Sequence, residues 1–283
     1  LDGYGGYASY LWHEITHPTW HNYFYWLVGV SIFFFALEWI KPWRTGQAKF
    51  RKDFWLDAFY MFFNFFLFSL IIYNAASDVV VNFFNFYILE FTGVDLKSTN
   101  PVHNWPMWAV LLLGFVVRDF VQWWTHRLLH SVDRLWEFHK VHHSAEEMGF
   151  AAHLRYHWME NILYKPLKTI GVMVLGGFEP EQAFIVHFIA ITIGHLNHSN
   201  IKLSYGPFKY VFNNPIMHLY HHAYEIPNKY GVNFGISLSI WDYIFRTNYI
   251  PEDSGTIKLG YPGDTLMPKK FLGQLTYGFR KRE

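Results

Sequence analysis

Residues Trp105 to His130 read WPMWAVLLLGFVVRDFVQWWTHRLLH. Trp105 to Val117 is an apolar run, and the helical pattern continues without a break through Trp124 to His126 and His130. The stretch therefore reads as a membrane-crossing helix that ends in two histidines on one face, because residues four apart on a helix are neighbours. Two further segments extend the pattern. Glu137-Phe138-His139-Lys140-Val141-His142-His143 and Met217-His218-Leu219-Tyr220-His221-His222 each carry an HxxHH, and His195-x-x-His198 lies between them. Imidazole is the commonest neutral metal ligand near pH 7. Spacings of i, i+3 and i+4 aim ring nitrogens at one point. Adjacent pairs such as His142 and His143 differ by about 100° around a helix, so one ring leans to each side, which suits two metals better than one.

The composition fits a membrane protein. Of 283 residues, 52% are hydrophobic, 22% aromatic and only 16% charged, against roughly a quarter charged in soluble domains. The formal charge of +1 and the lack of a basic arm argue against nucleic-acid binding. The absence of cysteine excludes disulfides, thiolate catalysis and Cys-based zinc or iron–sulfur sites. The sequence begins at Leu1, so the natural start is expected to be missing, and no secretory leader is recognised.

The expected fold is all-α: an integral membrane stalk of four or five membrane segments carrying a cytosolic helical cap with the histidine-rich di-metal site. Tyr23 to Ile40, broken only by Glu38, is the first span. Phe54 to Tyr73, with Asp57 near its start, is the second. Val79 to Phe91 is a short interfacial or re-entrant piece. Leu167 to Phe178 and Ala183 to Ile193 form a hairpin dipping into the membrane, with Gly176, Gly177 and Pro180 at its turn. Lys41, Arg44, Lys49, Arg51 and Lys52 make the first loop basic, which places it, the metal site and the Lys/Arg-rich end in the cytoplasm and the start of the chain outside. Residues 1–283 read as one multi-pass domain without repeats.

Isolated histidines such as His103 and His187 read as satisfied polar residues. His13, His17 and His21 share a spacing of four, but Pro18 interrupts it and an interfacial polar face is expected. All-nitrogen sites suit zinc, copper, iron or nickel. The number of histidines exceeds the needs of one closed four-ligand zinc site.

HxxxH followed by two HxxHH on a membrane stalk resembles the fatty acid hydroxylase superfamily, also called the sterol desaturase family. Arg155-Tyr156-His157-Trp158-Met159-Glu160 resembles its RxHPxE segment, with Trp158 in place of proline. Trp241-Asp242-Tyr243-Ile244-Phe245-Arg246-Thr247 resembles its WDxxFGT segment, with Arg246 where glycine is usual. His198-Ser199-Asn200 resembles its HxN segment. The likeness covers about residues 110–250 and is nearest in pattern to the branch of alkylglycerol monooxygenase and sterol C5 desaturases. It implies a non-haem di-iron enzyme that uses O2 to hydroxylate an unactivated C–H bond of a lipid drawn from the bilayer. The two electrons would come from a separate donor of cytochrome b5 or ferredoxin type, since no cytochrome b5-like domain is fused. The implied ligands are His126, His130, His139, His142, His143, His198, His218, His221 and His222, with His195 as a tenth candidate and His157 as another. Zinc would readily replace iron in recombinant protein.

Metal-bound imidazoles usually donate their other N–H to a carboxylate or carbonyl. Asp119, seven and eleven residues before His126 and His130 and so on their helix face, is expected to orient one of them. Glu160 and Asp242 are the other candidates. A local Arg155–His157–Glu160 bridge is the structural alternative for His157, and a pairing with Arg118 or Arg127 is the alternative for Asp119. Two other functions compete: a lipid or sterol desaturase with the same ligands, and a membrane metal transporter or metal-binding protein. The transporter would need ligands along the spans, whereas here they follow them.

Overall fold

The computed structural model describes residues 2–20, 22–64, 86–87, 89–93, 102, 104–174, 180–251 and 257–279. Ten α-helices are referred to below. They are α1 (Asp2–Thr16), α2 (Tyr23–Ile40), α3 (Phe54–Phe62), α4 (Met107–Ser131), α5 (Asp133–His143), α6 (Trp158–Val174), α7 (Pro180–His198), α8 (Pro215–His221), α9 (Ile240–Ile244) and α10 (Phe271–Gln274). Short 3-10 turns, including Phe150–Leu154 and Gly206–Tyr210, link them. The described residues contain no strand, only the isolated bridges Phe212–Leu238 and Ala223–Leu259. The all-helical class expected from the sequence is thus observed.

Two helices are long and apolar enough to cross a membrane, Tyr23–Ile40 and Met107–Ser131. Only 17% and 22% of their apolar windows are buried. They are therefore not the central helices of a soluble core, which would be covered on most sides. Both coincide with spans read from the sequence. The second expected span is described only as α3, and its continuation beyond residue 64 lies outside the described residues. So do most of 79–91 and the turn at 175–179. The two expected hairpin arms are longer than their apolar runs: α6 starts at Trp158 and α7 runs to His198.

Helix punctuation sets where the histidines fall. Val132 ends α4, its N–H bonded to the Leu128 carbonyl, and at once caps α5, whose first N–H groups bond back to the Val132 carbonyl. The chain turns sharply there, so His126 and His130 face the histidines of α5. Pro215 opens α8 at the first helical position, where its missing N–H costs nothing, and the Asn214 side chain caps it by accepting the Met217 N–H. α4 packs against α5, α6 and α7, while α7 packs against α2 and α8. The turn at Phe150–Leu154 fits between α3 and α7. Near the end of α2, half-buried Glu38 accepts the Phe150 and Asn200 N–H groups, tying two site-bearing loops to the first candidate span.

Candidate metal centre

The histidines converge into two groups. His126, His130, His139, His143 and His221 form one. His142, His198, His218 and His222 form the other. Within each group the nearest ring nitrogens all lie within 4.8 Å of one another. His126 Nε2 is 3.2 Å from His139 Nε2. In the second group His198 Nε2 is 3.3 Å from His142 Nε2 and 2.9 Å from His218 Nε2, which is 3.2 Å from His222 Nε2. Metal–nitrogen bonds of about 2.0–2.1 Å would set neighbouring ligand nitrogens roughly 3 Å apart.

Adjacent histidines split between the groups. His143 and His221 serve the first, His142 and His222 the second. The 100° offset along a helix places neighbouring rings on either side of the α5 and α8 axes.

The back of the cage is made of oxygen acceptors. The Nδ1–H of His126 donates to the Phe234 carbonyl at 2.7 Å, that of His142 to Arg155 at 2.9 Å, that of His198 to Gly194 at 2.7 Å and that of His221 to Val232 at 2.7 Å. His139 Nδ1–H donates to Glu160 Oε2 at 2.9 Å. Each such bond fixes a tautomer whose Nε2 lone pair points into the cage. Burial pushes His142 down to about 3 and His139 and His198 well below the usual histidine range, so these rings are held neutral, as a metal requires. Burial pushes Glu160 up to about 8, against a hydrogen bond from the His157 N–H. A cation on the far side of His139 would favour its charged form.

The residues fit a metal pair on one further observation. The buried Nε2 atoms of His130, His143 and His221, all of the first group, have no hydrogen-bond partner. Each such atom costs about 1–3 kcal/mol when left unpaired, and three in one group signal atoms completed by something else.

The family model for fatty acid hydroxylase matches residues 111–247. This stretch of the chain is thus similar to the fatty acid hydroxylase family. The chain is similar to an ornithine lipid hydroxylase of Rhizobium tropici, with 30% identity over 63% of this chain and 53% of the relative. It is also similar to the alkylglycerol monooxygenase of Xenopus tropicalis, with 28% identity over 64% of this chain and 41% of the relative. A third relative is a very-long-chain aldehyde decarbonylase of Oryza sativa, with 28% identity over 56% of this chain and 50% of the relative. The chain thus spans about half the length of these relatives. No solved structure matches it significantly.

Within residues 111–247 three of the sequence-based expectations need correcting. His157 lies outside both groups: its Nδ1 accepts the Met159 N–H and its Nε2 donates to the Leu275 carbonyl at 2.8 Å. Both nitrogens are occupied, and no salt bridge links it to Arg155. His195 also lies outside both groups, with Nδ1 between His153 Nδ1 and the Ile191 carbonyl and Nε2 toward Ser31. Asp119 touches no histidine of the cage. Its carboxylate accepts the Ser237 and Leu238 N–H groups and Trp241 Nε1–H, so it anchors the 237–241 loop to α4. Asp242 acts at one remove: it accepts the Phe234 and Gly235 N–H groups and Trp123 Nε1–H, shaping the loop whose carbonyl orients His126. Glu160 alone of the three acids contacts a cage histidine directly.

The sequence reading missed other residues. His153 lies with Nδ1 2.9 Å from His195 Nδ1 and its ring 5.0 Å from that of His198. Arg155 bonds Asp53 at 2.9 Å and Asp57 at 3.1 Å, and Arg51 also bonds Asp57. This buried network holds the segment whose carbonyl pins His142. A lone acid at the start of an apolar run was the available signal for Asp57.

The two departures from the family pattern have local explanations. Trp158 occupies the first position of α6, where proline is favoured, and its Nε1–H donates to the Leu275 carbonyl. Arg246 has φ 56° just past α9, a left-handed position where glycine is the usual residue, and a side chain there costs about 1–2 kcal/mol.

Glu160→Ala leaves His139 without its acceptor. Metal affinity should fall about 10–100-fold with the helices retained, the usual loss for such a partner. Competition with a chelator of known affinity measures it, and unchanged affinity would remove Glu160 from the site.

Proposed function

We propose that the protein is a membrane di-iron oxygenase that hydroxylates an unactivated C–H bond of a lipid, using O2 and two electrons from a separate carrier protein of ferredoxin or cytochrome b5 type. The observation that carries this reading is the pair of buried all-histidine groups sharing α5 and α8 within a stretch similar to the fatty acid hydroxylase family. When bound, two iron ions would supply the reduction of O2 and the oxidation of the C–H bond. His126, His130, His139, His143 and His221 would hold one ion, and His142, His198, His218 and His222 the other.

The chain's own residues perform the remaining work. Nδ1–H donation to fixed carbonyls and to Glu160 prevents ring rotation, so the site is formed before substrate arrives. Phe234 packs against His126 and buried Trp123 backs Phe234, so the two rings keep water from the first group. Met217, also buried, covers the α8 side. An apolar lipid chain would approach from the bilayer along the exposed apolar faces of α2 and α4.

The names of the relatives support a lipid substrate, since those proteins act on ornithine lipids and alkylglycerols. The basic loop at 41–52 supports a cytoplasmic metal site in a multi-pass protein with further spans.

The decisive test is metal stoichiometry. Protein purified from iron-supplemented cells should carry close to two transition-metal ions per chain by elemental analysis, and cells expressing it should gain a hydroxylated lipid by mass spectrometry. One ion per chain held by four ligands would overturn the di-metal reading. Zinc in the purified sample would not, because histidine sites accept it readily.

A further inference from the structure

Two loops on one side of α4 expose aromatic and aliphatic side chains that the metal site does not use. Phe208 is 65% exposed, Tyr210 54%, Phe212 42% and Ile244 58%, beside Trp124 on α4 at 44%. The loops form one rigid unit. The Ser239 N–H and hydroxyl donate to the carbonyls of Val211 and Lys209, Phe212 bridges Leu238, and the Tyr210 ring lies 5.0 Å from Tyr243. The unit is bolted to α4 through Asp119, through Trp241 against Phe120 at 4.7 Å and through Phe245 against Trp124 at 5.3 Å.

Its height along α4 is informative. Phe120 and Trp124 lie 13 and 17 residues beyond Met107, about 20 and 26 Å along the axis. The hydrocarbon core of a bilayer is about 30 Å thick. If α4 crosses from its first turn, Trp124 stands about 4 Å inside the far boundary of the hydrocarbon, so the loops anchored there lie at the edge of the headgroups, the level at which Trp and Tyr concentrate. The charges there have one sign. Arg127 lies over the Trp124 and Phe245 rings, Lys209 lies over Tyr210, and Arg246 is exposed. None of the three pairs with a carboxylate among the described residues. Arg246 also retains a charged side chain in a backbone conformation that glycine would adopt without strain.

We propose that the 206–212 and 240–246 loops form a second membrane contact, inserting their aromatic side chains into the interface and placing Arg127, Lys209 and Arg246 against anionic phospholipid headgroups. This rests on the membrane reading of α4. The contact clamps α4 on the side where its C-terminal half carries His126 and His130, and so fixes the height of the metal cage above the hydrocarbon.

The lack of native cysteine permits single-site labelling of the full chain. Phe208→Cys, Ile244→Cys, Leu112→Cys and Lys229→Cys would each carry an environment-sensitive fluorophore in nanodiscs of phosphatidylcholine with phosphatidylglycerol, with spin-labelled lipid as quencher. Leu112 reports α4 itself. Lys229 reports the loop leading to Gly231, which lies against His130 beyond the core. Quenching at 208 and 244 should approach that at 112 and exceed that at 229 by about threefold. Removing phosphatidylglycerol should weaken quenching at 208, and Lys209→Gln with Arg246→Gly should abolish that lipid dependence while Arg246→Gly alone raises the melting temperature. Labels at 208 and 244 quenched no more than at 229, with 112 quenched, would overturn the contact and leave the span intact. An unquenched label at 112 would overturn both. Quenching at 208 indifferent to lipid charge would overturn the headgroup role of the cations.

Discussion

His142→Ala or His221→Ala should each abolish turnover and strip metal from the protein, whereas His13→Ala, His17→Ala and His21→Ala should do neither. His142 and His221 belong to different groups, and each has its Nδ1–H committed to a main-chain carbonyl, so no neighbouring ring can take its place without unmaking another bond. His13 and His17 stack on each other at 4.2 Å on the exposed face of α1, outside both groups. His21 lies outside the described residues. Elemental analysis of the purified variants, together with lipid mass spectrometry, measures both effects. Emptying of the site by the amino-terminal substitutions would overturn the topology, because that segment is expected across the membrane from the cage.

Arg155→Met should destabilise the protein by about 3–5 kcal/mol, the cost of removing one partner from a buried charge network. Arg155 is 1% exposed and Asp57 0%. Without the guanidinium, Asp57 retains only Arg51, Asp53 loses its partner and the Ser144 hydroxyl loses its donor. Asp57→Asn in the same chain should recover part of the loss by removing the surplus negative charge. Thermal unfolding in nanodiscs distinguishes the outcomes, and a loss below about 1 kcal/mol would mean that water reaches the network.

Much of the fold was legible in the sequence because the bilayer and the helix repeat leave coarse marks. The boundaries of Tyr23–Ile40 were readable from an apolar run broken only by Glu38. The long helix from Met107 was readable because its apolar half and its histidine half continue one period. The eight histidines of HxxxH and HxxHH, with His198, fall together in the structure as the spacing suggested. The oxygen acceptors behind them were mostly invisible. The carbonyls of Phe234, Arg155, Gly194 and Val232 belong to the main chain and have no residue type to betray them. Asp119 was misassigned for a related reason: a helix periodicity places a side chain on a face but not along it, and the loop at 237–241, over a hundred residues away, claimed its carboxylate first. The local Arg155–His157–Glu160 bridge, offered as the alternative for His157, does not form, because the acids that pair with Arg155 lie about a hundred residues earlier.

The sharing of α5 and α8 between the two groups has a consequence for assembly. His142 and His143 are consecutive on α5, and His218 and His221 lie one turn apart on α8, each pair divided between the two groups. If two ions bind, ordering α5 and α8 around the first leaves little further ordering for the second, because the same backbone is already fixed. Occupancy of the two positions would then be linked: at limiting metal, chains would sort into empty and doubly filled molecules, with half-filled ones scarce.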